Sequence, residues 1–168
     1  NEAVKNFTHI IGDRNATQLL TDFSMAKHNL GVALRGLGRL RKDKTLRDEA
    51  LDSYDLALKV RISIDAKADA ASTYMNIGNI KIEQAGEGVE GALDEAVENY
   101  QASIDNLDPK ANPISYADVV EKLTDALLDN GQSNAAQAAQ RALDIIEKSG
   151  LELADTSTTQ RLRAEIES

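Results

Sequence analysis

Apolar side chains recur along this chain in steps of three and four residues, interrupted by glycine, proline and short polar stretches. Leu51, Tyr54 and Leu58, continuing to Val60 or Ile62, keep the i, i+3, i+4 spacing that turns one face of a helix toward a core. Val97, Tyr100, Ile104 and Leu107 keep it again further on. The pattern predicts helices near 2–12, 17–40, 45–64, 67–85, 90–107, 113–130, 133–149 and 156–167, and no strand alternation competes with it. The punctuation agrees. Thr45 and Asp48 resemble a capping box, Asn112-Pro113 reads as an N-cap followed by proline at the first helical position, and Gly131 and Gly150 stand where helices should stop.

The pattern repeats at a fixed distance. Ala3 with Phe7, Ala50 with Tyr54 and Ala96 with Tyr100 place an alanine four residues before an aromatic, at intervals of 47 and 46 residues. Gly31, Gly78 and Thr124 each follow such an alanine by 28 residues. Equal intervals between small residues imply one helical unit stacked several times, with the small positions where helices approach closely.

In order, Asn29-Leu30-Gly31, Ala50, Tyr54 and Ala57 resemble a tetratricopeptide repeat. Tyr74, Asn76, Ile77, Gly78, Ala96, Tyr100 and Ser103 do so again, closing on Leu107-Asp108-Pro109. Leu123, Thr124, Ala135, Ala139 and Ala142 form a weaker third unit. The resemblance covers about residues 2–149. It implies an all-α fold, a right-handed α-solenoid of antiparallel helix pairs. Its units would be 17–64, 67–107 and 113–149, preceded by a lone helix within 1–13 and followed by a capping helix at 156–167. The usual unit of that family has 34 residues, so 46–47 marks a long variant, with lengthened connections both within units one and two and between units. The broad apolar face of the first helix (Val4, Phe7, Ile10, Ile11) lacks its expected partner helix, which implies a chain that continues upstream or an end that packs on another copy.

The resemblance also implies an inner groove lined by the first helix of each pair. Carried over by alignment, the groove positions are Met25, His28, Val32 and Arg35; then Ser72, Met75, Asn79, Ile82 and Glu83; then Asp118, Glu121, Asp125, Leu128 and Asp129. Such a groove would run from mildly basic and apolar to acidic, suited to a protein or peptide partner whose basic segment lies over Glu121, Asp125 and Asp129. Some members of the family grip a terminal carboxylate with Lys and Asn. The corresponding positions here hold His28, Val32, Asn76, Asp118 and Lys122, and only Asn76 and Lys122 fit.

Composition sharpens the picture. Aromatics make up only 4% of 168 residues, so the core must be built from Ala, Leu, Ile and Val. A formal net charge of −9 argues against a nucleic-acid partner, which needs Lys and Arg to neutralise phosphates. The basic run Arg35, Arg39, Arg41, Lys42, Lys44 and Arg47 has no interleaved aromatics and reads as a solvated turn. No apolar run is long enough for a membrane span. The lack of cysteine removes thiol chemistry without fixing the compartment, the cytoplasm being the favoured one.

Nothing in the sequence points to catalysis, a metal or a cofactor. His9 and His28 lack a nucleophile or acid partner at fixed spacing, and no metal-ligand motif is present. Gly86-Glu87-Gly88-Val89-Glu90-Gly91 has the glycines of a phosphate loop but no strand before it and two glutamates within it, so it reads as a connection between helices. The function expected is that of a protein-interaction scaffold or adaptor without enzymatic activity. The alternative is a self-assembly module forming a homo-oligomer through its terminal helices.

Overall fold

The computed structural model describes residues 14–129, together with residues 140, 143, 144, 147, 160, 163 and 164. Among the described residues the secondary structure is all helical, with five full helices: α1 (Arg14–Arg41), α2 (Lys44–Ser63), α3 (Lys67–Gly86), α4 (Ala92–Asp105) and α5 (Pro113–Asp129). Each lies within three residues of a helix expected from the apolar periodicity. The helix expected at 2–12, the stops at Gly131 and Gly150, and the markers Ala135, Ala139 and Ala142 fall outside the described residues, while the helices expected at 133–149 and 156–167 are described only at residues 140, 143, 144, 147, 160, 163 and 164, which are helical.

The chain divides into two compact units, one ending at Ile80 and the other beginning at Lys81. In the first, α1 packs on α2. Ala50, Tyr54, Ile77 and Ile80 form the core, with Leu34, Leu51 and Leu58 packed against it. At Gly31 the two helices approach closely: a Cβ there would lie 2.7 Å from Cε1 of Tyr54, so the aromatic ring occupies the space a side chain would need. Ala50, Tyr54 and Ala57 are fully buried, as expected of the small-aromatic-small markers. Ile62, read as a continuation of the apolar face, is instead exposed, and Arg61 takes the buried position beside it.

In the second unit α4 packs on α5. Ala92, Ala96, Tyr100, Ser103 and Ile104 of α4 are buried. So are Tyr116, Val119, Val120, Leu123, Thr124, Ala126 and Leu127 of α5. Thr124 stands at a position expected to be small. It satisfies its hydroxyl within the helix by donating to the Val120 carbonyl at 2.8 Å. Lys81 of α3 pairs with Glu95 of α4.

Three of the helices end in the same way. After α1, Asp43 N–H donates to the Gly38 carbonyl and Lys42 N–H to that of Arg39, with Lys42 at φ 54°. After α2, Ala66 donates to Arg61 and Asp65 to Ile62, with Asp65 at φ 55°. After α3, Val89 donates to Gln84 and Gly88 to Ala85, with Gly88 at φ 81°. Each is a Schellman motif, which satisfies the last carbonyls of a helix through one left-handed residue.

This geometry corrects two expectations. The connection from α1 to α2 is only two residues long, because Asp43 closes one helix and caps the next, accepting from Thr45 N–H at 2.9 Å. The extra length of the repeat therefore lies in helices of 28, 20 and 20 residues and not in that connection. The cap itself is Asp43, two residues ahead of the box read at Thr45 and Asp48.

Candidate functional site

Of the groove positions in the first unit, Met25 and Val32 are exposed, while His28, Arg35, Ser72, Met75 and Asn79 are half-buried. Met25, His28, Val32 and Arg35 share one flank of α1 through their 3-4-3 spacing. His28 has side-chain partners on two other helices.

Those partners form a polar cluster on three helices. Arg61 of α2 is buried, and its Nη1 donates to the Asp69 carbonyl at 2.7 Å and to Oγ1 of Thr73 at 2.6 Å, both on α3. The same nitrogen lies 3.0 Å from Nδ1 of His28 on α1. A guanidinium only donates, so Nδ1 accepts, and the imidazole is neutral with its proton on Nε2. Two N–H groups thus serve three acceptors, and at least one bond is shared. Thr73 donates to the Asp69 carbonyl at 3.1 Å, which leaves its oxygen free to receive Arg61. The His28 ring also meets the Tyr54 ring at a centroid distance of 5.4 Å. Nε of Arg61 is buried without a hydrogen-bond partner among the described residues.

The electrostatics follow from this packing. Burial, and secondarily the Arg61 charge, push His28 down from 6.5 to about 4, against a smaller opposing pull from Asp69. Burial also lowers Arg61 from its ordinary value, while Asp69 opposes that shift. Through Arg61 the cluster joins three helices. Sequence reasoning missed Arg61, Asp69 and Thr73. The available signal was spacing, because Ala50, Tyr54, Ala57 and Arg61 continue one 4-3-4 stripe into the core.

In the second unit the groove positions are of two kinds. Ile82, Glu83 and Leu128 are half-buried. Asp118, Glu121, Asp125 and Asp129 lie exposed on one face of α5, opposite its buried stripe. Lys122 pairs with Asp118 at 3.1 Å and trims the charge at one end of that face. Tyr116, buried on the other side of α5, is raised above its usual value by burial and by Asp105.

Of the basic run near the first connection, Arg47 is buried, with its Cγ 3.3 Å from where a Gly38 Cβ would be, while Arg39, Arg41, Lys42 and Lys44 are exposed. Among the described residues no cluster of three or more His, Cys, Asp or Glu is arranged to hold a metal ion. Nor is any helix among them long and apolar enough to cross a membrane.

No family model, curated protein or solved structure matches the chain.

Proposed function

We propose that the chain is a protein-interaction scaffold built as a tetratricopeptide-like solenoid, and that the acidic face of α5 receives a basic peptide segment. The observation that carries the partner's chemistry is the exposed row Asp118, Glu121, Asp125 and Asp129 on one side of a single helix. Four carboxylates spaced along about three turns attract and orient an extended or helical run of Lys and Arg. Support for paired helices comes from the close positions of α1 and α2. Gly38 lies beside Leu46 and Arg47, Gly31 beside Tyr54, and His28 beside Arg61, so residues ascend on one helix as they descend on the other.

The test is fluorescence anisotropy with a labelled Lys/Arg-rich decapeptide at low ionic strength. Binding should weaken about tenfold or more in Glu121→Lys/Asp125→Lys and fall steeply with added salt. Equal affinity in the wild type and the reversed variant would reject the acidic face as the receiving surface.

A further inference from the structure

α1 buries one face against α2, yet a second apolar face of the same helix is open. Leu19, Phe23, Ala26, Leu30, Ala33, Leu37 and Leu40 follow one another in strict 4-3-4-3-4-3 steps across about 30 Å of helix. All are exposed except Leu37, which is half-buried. Phe23 and Leu30 are 45% exposed, Leu19 54% and Leu40 85%. A stripe that repeats every 3.5 residues is the seam of a coiled coil, in which Phe23, Leu30 and Leu37 alternate with Leu19, Ala26, Ala33 and Leu40 as core positions.

We propose that this face pairs with α1 of a second copy of the chain, in parallel and in register. The flanks of the seam favour that occupant and that direction. Asp22 precedes one core position and Lys27 follows the next, five residues on, which is the spacing of the cross-helix ion pair in a parallel two-stranded coil. Reversing one helix sets each flank of the seam against its own counterpart, so Asp22 no longer faces Lys27. The alanines at 26 and 33 let two backbones approach closely at the centre. Packing on α2 already holds α1 helical, so association does not bear the cost of folding the helix.

The test is sedimentation of the full chain over a range of micromolar concentrations, combined with single-cysteine cross-linking, which is clean because the chain has no cysteine of its own. The mass should rise to about twice 18.2 kDa. Leu30→Glu should raise the dimer dissociation constant roughly a hundredfold by placing two carboxylates in the seam. Leu40→Cys should form a covalent dimer on mild oxidation, whereas Met25→Cys, exposed on another flank, should not. A monomer at every concentration, a dimer unchanged by Leu30→Glu, or equal cross-linking at 40 and 25 would overturn the proposal. The cysteine comparison decides it even where Leu30→Glu disturbs folding.

Discussion

Gly31 touches the fully buried Tyr54 so closely that a single added methyl must displace the ring or separate the helices. Gly31→Ala should therefore destabilise the chain by about 1–3 kcal/mol, the usual cost of overpacking, despite the better helix propensity of alanine. Urea unfolding followed by circular dichroism would read this, and an unchanged midpoint would mean that the contact yields easily. His28 gives a prediction of another kind. In the unfolded chain it titrates at its ordinary 6.5, and in the native cluster at about 4. Above pH 6.5 neither state binds the proton. Between 6.5 and 4 only the unfolded chain takes it up, so stability falls as pH falls through that window, and the loss is complete below 4. Because the ring is half-buried and partly screened by solvent, the loss is on the order of 1–2 kcal/mol, less than the full shift would give. The groups facing it are Arg61 and Tyr54 from α2 and Asp69 and Thr73 from α3. His28→Gln keeps an acceptor toward Arg61 and removes the titration. Wild type and variant differ at this one side chain, so the difference in their urea midpoints should narrow from pH 7 to pH 4.5.

At the scale of the element, the helix stops matter more than their chemistry suggests. Lys42, Asp65 and Gly88 take left-handed backbone at intervals of 23 residues, half the spacing of the larger repeat, and only the last is glycine. A side chain with a Cβ costs about 1 kcal/mol in that conformation. Lys42→Gly and Asp65→Gly should each raise stability by up to about 1 kcal/mol. For Asp65 the exposed pair with Lys67, at 3.9 Å, offsets little of that gain. Asp43→Ala should act the other way by about 1 kcal/mol, because the carboxylate that accepts from Thr45 N–H would be lost. Thermal melts of the three variants, ranked against wild type, would check all of these. These stops also show what the sequence could disclose. Helix positions were legible because burial imposes a 3.6-residue rhythm, and Gly31 was legible as a close contact because its interval recurs. The turns at 42 and 65 were not, since Lys and Asp carry no mark of left-handed backbone and the hydrogen bonds that impose it come from the folded helix end. Arg61 was hidden for a related reason: its partners on α1 and α3 are 33 and 12 residues away, and only the fold makes them neighbours. The acidic face of α5 could be read directly, whereas the seam on α1 emerges only once α2 is seen to leave it uncovered.

Across the whole molecule, 28 acidic residues oppose 19 basic ones, so the chain carries an excess of negative charge that its stability does not require. The face of α5 concentrates the conflict. Glu121, Asp125 and Asp129 succeed one another at four-residue steps, where like charges repel, and Asp129 sits at the negative end of the helix dipole with no basic residue in the last turn. A row retained for binding and a row that is only solvated surface predict different consequences when it is changed. Asp129→Lys should stabilise the chain by about 0.3–1 kcal/mol, through the dipole and through an attractive step to Asp125. Where the face receives a basic peptide, the same change should weaken decapeptide binding in the anisotropy assay, so stability and affinity move in opposite directions. The gain in stability should shrink at 0.5 M NaCl, as expected of exposed charge. A variant that is more stable and binds the peptide as well as wild type would identify the row as solvated surface. A loss of affinity beside a gain in stability would show carboxylates held in an unfavourable arrangement for the sake of a partner.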